Sequence, residues 1–259
     1  MIKPKTEEEI ALLRENAIIV SKTLAEVGKA VAPGVSTNTL NKVAETFIRD
    51  NGASPSFLGF EGFPAAICAS VNDVVVHGFP SDYILKEGDI VSTDIGTLYK
   101  GYNGDSCYTF PVGEVSPETR KLLDVTKESL YRGIAAAVAG ARIGDIGYAV
   151  QSYAESFGFS VVRELEGHGI GQQMHENPGV PNYGRPGRGT HLVDGMVLCI
   201  EPMINAGGKA VYLDRNGWAV HTADHKNSAH YELTIVVRKG RAELLSTFDF
   251  IEKDGKIKF

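Results

Sequence analysis

The chain has 259 residues, 43% of them hydrophobic and 22% charged, with 29 Gly, 11 Pro and a formal net charge of −6. That length buries a proper core without disulfide or metal staples, and the composition excludes the disordered, collagenous and coiled-coil classes. The longest run free of Asp, Glu, Lys and Arg is the 12 residues Ala30 to Asn41, rich in Ser, Thr and Asn, far short of the ~20 apolar residues that span a bilayer.

The first helix is expected to open at Thr6-x-x-Glu9, a capping box, because Ile10, Leu13, Ala17, Val20, Leu24 and Val27 then recur at helical spacing. Pro33-Gly34 ends it. A second helix with Leu40, Val43, Phe47 and Ile48 on one side closes at Asn51-Gly52, where a left-handed cap fits. A strand pattern follows over Ile90 to Ile95. Ser116 and Pro117 then signal a third helix that stops near Gly140, and a fourth runs from Asp145 to Gly158. Further strand patterns cover Met196 to Ile200 and Leu233 to Val237.

This order repeats itself. Leu85 to Asp94 resembles Leu192 to Glu201 at an offset of 107, with Leu, Gly and a carboxylate in register, and the two helix pairs align at about the same offset. The expected fold is therefore α+β, one domain over 1–259 with pseudo-symmetric halves of helix pair plus strands, approximately 6–110 and 113–245, sharing one sheet and one core.

The N-terminus, Met-Ile-Lys-Pro-Lys followed by Thr and three Glu, lacks the apolar stretch of a secretory signal and the Arg-rich character of a transit peptide. Cys68, Cys107 and Cys199 are an odd number, far apart, with no Cys-x-x-Cys pair, as expected of a reducing cytoplasm. An acidic whole argues against broad nucleic-acid binding. No DNA and no membrane partner are expected.

Carboxylates carry the chemical signal. Asp94 and Asp105 flank a hairpin expected to turn around Tyr99 to Gly101, which makes them cross-strand neighbours on one face with Cβ atoms ~4.5–5.5 Å apart. A lone Asp pair is more often a solvated face, but Asp94 follows an apolar run where an unpaired charge is costly. The repeat puts Glu201 at the Asp94 position of the second half, so a pseudo-twofold axis brings a carboxylate from each half to one centre. Glu232 sits among apolar strand residues, and His168 among glycines that let backbone and ligand approach. Two Asp, two Glu and one His, with no thiolate, form an oxygen-rich set suited to Mn, Fe, Co or Zn in a dinuclear site.

The order Asp94, Asp105, His168, Glu201, Glu232 sits with Val71-Asn72-Asp73-Val74-Val75-Val76-His77-Gly78, Gly167-His168-Gly169-Ile170-Gly171, His175-Glu176-x-Pro178, Ile200-Glu201-Pro202-Met203 and Tyr231-Glu232. Together these resemble methionine aminopeptidases of the type I, bacterial class, over nearly the whole chain. The resemblance implies the pita-bread fold around two divalent ions, acting as a cytoplasmic monomer. It implies removal of an N-terminal methionine from nascent polypeptides when the second residue is small, by a hydroxide held between the ions that attacks the first peptide bond. By position, Asp105 and Glu232 bridge both ions, Asp94 binds one, and His168 with Glu201 bind the other. Glu201 also moves a proton between water and leaving amine, His77 contacts the scissile nitrogen, and His175 steadies the carbonyl and oxyanion.

The same resemblance implies a methionine pocket of Phe57, Phe60, Phe63, Cys68, Met174 and Trp218, whose aromatic and sulfur-bearing walls suit a thioether. For Phe57, Phe60 and Phe63 a core role competes with the pocket role. Asn72, Val74 and Ser228 match positions that hold a monovalent cation, Na or K, through backbone carbonyls, while His230 and Leu233 differ from the residues common beside Glu232 in the family. Two other readings stand beside this one. Prolidase or aminopeptidase P would share the five ligands but normally carries an extra N-terminal domain, absent here because the first matched helix begins at Thr6. A pita-bread binding module without catalysis would have lost ligands. The basic loop Tyr183 to Gly189, with Arg185 and Arg188, is either a solvated surface or a contact with ribosomal RNA.

Overall fold

The computed structural model describes residues 3–252. In chain order the elements are α1 (Glu7–Ala30), α2 (Thr37–Asp50), β1 (Ser54–Pro55), β2 (Cys68–Val71), β3 (Val74–Val76), β4 (Ile90–Tyr99), β5 (Tyr102–Pro111), α3 (Pro117–Ala136) and α4 (Ile143–Ser156). The second half continues with β6 (Ser160–Val161), β7 (Glu166–Gly169), β8 (Glu176–Pro181), β9 (Val197–Ile200), β10 (Met203–Asn205), β11 (Val211–Leu213), β12 (Val220–Thr222), β13 (Ser228–His230), β14 (Leu233–Val236), β15 (Glu243–Leu244) and α5 (Asp249–Glu252).

The helices form where local chemistry demands them. Thr6 accepts from the Glu9 amide while Glu9 reaches back to the Thr6 amide, the reciprocal bond that satisfies two orphan donors at the start of α1. Three glutamates in that first turn complement the helix dipole. Ser116 caps α3 and Pro117 fills its first turn, where a missing N–H costs nothing. In α4 the cap is shifted: Asp145 accepts from the Arg142 amide, so the helix begins at Ile143, two residues before the predicted start.

The repeat is visible in three dimensions. β4 opens at Ile90 and β9 at Val197, the offset of 107 read from the sequence, and each follows a helix pair. One large apolar core draws on both halves: Val20 and Leu24 of α1, Ile90 and Ile95 of β4, Leu122 and Leu130 of α3, Leu198 and Ile200 of β9, and Ile235 of β14 all belong to it. The expectation of one shared sheet is corrected. Strands β1, β4, β2 and β5 form one sheet, and β15, β14, β9, β7 and β8 form another in that order, with two three-stranded sheets beside them. Among the described residues, strand pairing joins the halves at two places: β3 of the first half pairs with β12 of the second in one of the three-stranded sheets, and a short bridge has the Glu232 amide donating to the Cys107 carbonyl at 2.9 Å.

Helix α1 packs against β4 and β5, and one buried amide fixes that contact. Asn16 Nδ2 donates to the carbonyls of Thr97 (3.0 Å) and Tyr102 (2.8 Å), and its Oδ1 accepts from Thr97 Oγ1. Asn16→Ala strands these buried groups, so we expect a loss of about 2–4 kcal/mol in denaturant unfolding. A change under ~1 kcal/mol would show that water replaces the amide.

Candidate metal centre and pocket

The hairpin that carries two carboxylates turns one residue later than predicted. Tyr99 lies opposite Tyr102, and the two-residue loop Lys100-Gly101 has φ of +49° and +82°, the left-handed pair that matches strand twist in a tight hairpin and that Gly101 adopts freely. Asp94 therefore faces Cys107, and Asp105 faces Gly96. The two aspartates are diagonal rather than directly opposite, but a shift of two in register keeps them on one face. Glu232, between β13 and β14, completes a cluster: donor atoms of Asp94, Asp105 and Glu232 lie within 4.8 Å of one another.

Glu201 leaves the end of β9, its carbonyl held by Asn182 Nδ2 at 3.0 Å. His168 projects from β7 with Nδ1 2.9 Å from the Gly169 carbonyl, which only accepts, so Nδ1 carries the proton and Nε2 presents its lone pair. Nε2 lies 3.5 Å from Glu201 Oε1 and 3.8 Å from Asp105 Oδ2. Gly167 is required beside it, because a Cβ there would meet the Cys199 carbonyl at 2.3 Å.

All four carboxyl groups are pushed toward the protonated form by burial first. Asp94 rises to about 7. Asp105, Glu201 and Glu232 rise well above the usual range through burial and then through one another's charge. Burial lowers His168 to about 4, the neighbouring His175 adding to it, which keeps the imidazole neutral. Asp94 Oδ1, Asp105 Oδ1, Glu201 Oε1 and Glu232 Oε1 are buried without a hydrogen-bond partner. Unpaired buried oxygens of this number are what divalent cations satisfy, so the donor set fits the metals that the sequence implies.

A cavity of about 560 Å³ opens onto this cluster and is lined by Asp94, Asp105, His168, Glu201 and Glu232 on one side and by Phe57, Phe60, Phe63, Cys68, Met174 and Trp218 on the other. The aromatic wall is interlocked. Phe63 meets Trp218 edge-on at 5.2 Å and Phe79 at the same distance, and Trp218 meets His77 at 6.1 Å. Core and pocket roles coexist: Phe63 is buried and also lines the cavity, while the half-buried Phe57 and Phe60 line it and pack against buried apolar clusters. His77, at φ +57°, and His175 both line the cavity. His175 stands 4.5 Å from the His168 ring and 5.6 Å from Phe60, and burial lowers both histidines below their usual pKa. Asn72, Val74 and Ser228 lie apart from this cavity's lining; the Ser228 amide donates to the Asn72 carbonyl at 2.8 Å, and Val74 opens β3 beside them.

Several cavity residues were not singled out in the sequence: Val76, Leu165 and Met203 in the wall, and Glu61, Glu164, Glu166 and Glu176 around them. Two more lie behind the donors. His230 is 2% exposed with Nε2 unpartnered, 3.7 Å from Glu201 Oε2, and the Cys199 sulfur lies within 4.8 Å of donor atoms of His168 and Glu232. Both were noted in the sequence for other reasons; each precedes a candidate ligand position by two residues, and the period-two alternation of a strand is the signal that ties them to the site.

A neutral imidazole and four buried carboxylates converging on an apolar cavity define a metal-dependent hydrolase. Comparison with known proteins agrees. The family profile described as Metallopeptidase family M24 matches residues 11–239. The chain is 50% identical over 247 residues to methionine aminopeptidase of Clostridium acetobutylicum, covering 95% of this chain and 99% of that protein. The crystal structure of methionine aminopeptidase from Rickettsia prowazekii superposes with a TM-score of 0.94 at 42% identity, covering 95% of this chain and 100% of that one. An Xaa-Pro dipeptidase from Bacillus anthracis shares the pita-bread fold at a TM-score of 0.77 and 27% identity, with 94% of this chain but only 62% of that one covered. The chain belongs to metallopeptidase family M24, among its bacterial type I methionine aminopeptidases. No helix among the described residues is long and apolar enough to cross a membrane.

Proposed function

We propose that the protein removes the N-terminal methionine of nascent polypeptides whose second residue is small, using two divalent ions. The observation that carries this is the single cavity in which an apolar, sulfur-bearing wall faces the cluster of unpartnered carboxylate oxygens. Asp105 and Glu232 hold both ions, Asp94 one, and His168 with Glu201 the other. In support, Glu232 belongs to both groups of converging donors, and Asp105 joins Asp94 on one side while standing 3.8 Å from His168 on the other. Such ions, when bound, lower the pKa of water from ~15.7 to about 7 and polarise a carbonyl oxygen.

The chain's own residues supply the rest. Phe63 and Trp218, packed edge to face, form one aromatic wall for an unbranched side chain, with Cys68 and Met174 as polarizable contacts, and this aligns the first peptide bond with the carboxylates. The free amine, held by an ion or near Asp94, makes the enzyme an exopeptidase. The unpartnered Oε1 of Glu201 takes a proton and returns it to the leaving amine. His77 contacts the scissile nitrogen and His175 the carbonyl, and the two rings crowd the position where the second residue must lie. Backbone carbonyls of Asn72, Val74 and Ser228 hold a monovalent cation that stiffens the turn before β3. The chain acts as a monomer in the cytoplasm, and the exposed loop with Arg185 and Arg188 is either a solvated surface or the contact with ribosomal RNA.

A peptide series tests this. Met-Ala, Met-Gly and Met-Ser peptides should be processed, norleucine should replace methionine at reduced efficiency, and Met-Leu or Met-Lys should resist; discrimination against a large second residue should exceed the ~1–3 kcal/mol that one methylene is worth. Efficient release of N-terminal Leu or Lys, or cleavage before Pro irrespective of the first residue, would overturn the reading in favour of the prolidase class.

A further inference from the structure

The two donor groups at the centre are chemically unequal. Asp94, Asp105 and Glu232 present only oxygen, whereas the second group is His168, Cys199 and Glu232, with nitrogen, sulfur and oxygen atoms within 4.8 Å of one another. Cys199 lies opposite Thr234 across β9 and β14, on the same face as Glu201 two residues later. Its thiol has two weak contacts, with the Glu232 carboxylate and with Thr234. Thr234 gives its one hydroxyl proton to the Asp105 carbonyl at 2.8 Å, so across the 3.5 Å contact with Cys199 the hydroxyl can only accept, and a thiol is a weak donor. Glu232, 2% exposed, aims an unpartnered Oε1 into the same space. Behind the sulfur lie Ile170, Val197 and Leu245, apolar groups that offer no competing ligand.

We propose that Cys199 is a third, soft ligand for thiophilic divalent ions: Zn²⁺ or Cd²⁺ at the His168 position takes the Cys199 sulfur with His168 Nε2 and a Glu232 oxygen, while Mn²⁺ keeps to oxygen and nitrogen. The inference rests on the metal-centre reading above. Thiolate favours Zn²⁺ and its congeners and carboxylate favours Mn²⁺. Zn–S and Zn–N bonds of ~2.3 and ~2.0 Å are reached by side-chain rotation from donors already this close. In the step a metal–sulfur bond forms, the S–H bond breaks and the proton leaves to solvent, with no change of oxidation state. An ion held on sulfur is drawn toward β9 and away from the Asp94–Asp105 side.

The test loads the metal-free full-length protein with Cd²⁺ or Mn²⁺ separately. Cd²⁺ is expected to produce the ultraviolet thiolate-to-cadmium charge-transfer band in the wild type, in Cys68→Ser and in Cys107→Ser, and none in Cys199→Ser. Mn²⁺ affinity of Cys199→Ser should change by less than the ~10-fold that loss of a supporting group costs. Should Cys199→Ser fail to fold, cadmium NMR of the wild type decides with the other two variants: a resonance shifted downfield by sulfur in all three supports the proposal, and one typical of oxygen and nitrogen ligands alone overturns it. Wild type that binds Mn²⁺ but shows no charge-transfer band, or a band that persists in Cys199→Ser, overturns the proposal and leaves the metal centre standing. Failure to bind either ion removes the metal-centre reading and this inference together.

Discussion

Glu232→Ala is expected to release both divalent ions and to lower kcat/KM by more than ~10³-fold, because Glu232 is the one residue common to both donor groups. Elemental analysis of the folded variant checks the first part; retention of two ions with near-normal peptidase activity would end the dinuclear assignment. In the metal-free protein, ionisation of the same carboxylate is opposed by burial and by Glu201 and Asp94. Glu232→Gln removes that ionisation while keeping the shape, so metal-free Glu232→Gln should lose less stability than the metal-free wild type as pH rises.

The sign follows from the direction of the shifts. Asp94, Asp105, Glu201 and Glu232 have raised folded-state pKa values, so their stabilising protonation is complete below the unfolded carboxyl pKa and is lost as pH rises through the folded values, near 7 for Asp94. His77, His168, His175 and His230 are depressed from 6.5, and their contribution is present above that value and lost on acidification. The two sets oppose each other below pH 6.5. Above it the depressed histidines no longer titrate, so the metal-free wild type should lose stability as pH rises through about 7, where Asp94 ionises, and added Mn²⁺ should reverse the slope because ionised carboxylates bind it. A melting temperature that rises with pH in chelator would contradict the clustered, uncompensated charge.

The second large effect concerns histidines that are not ligands. His77→Ala and His175→Ala should each lower kcat by ~10²–10³-fold, the usual cost of one donor that stabilises developing charge, while both ions stay bound. Their positions support this. Both line the cavity, and neither belongs to a group of converging donors. Loss of an ion from either folded variant would make that histidine a ligand instead. Equal loss in KM alone, with kcat intact, would reduce it to a substrate contact.

The elements nearest the local rules were legible in the sequence. The Thr6–Glu9 capping box and the Ser116-Pro117 start are interactions within one turn, so α1 and α3 begin where those residues stand. The acidic members of the candidate donor set were legible as well, because a carboxylate in an apolar strand is costly anywhere and the offset of 107 ties Asp94 to Glu201 across the halves. Sequence by itself therefore determined the helix pairs, the two-half plan and, through joint motifs, the family.

Tertiary structure alone decided the rest, since each remaining feature depends on elements far apart in the chain. Hairpin register hung on whether Tyr99 or Lys100 begins the turn, a choice made by strand twist and by the room Gly96 leaves beside Phe57, where a Cβ would approach to 2.5 Å. How deeply each phenylalanine is buried was set by Trp218, more than 150 residues away, packing on Phe63, which is buried, while Phe60 is only half-buried. The Cys199 sulfur came within reach of His168 and Glu232 only when β9 settled between β7 and β14. Period-two alternation says which face a side chain takes, but only packing says what stands across from it.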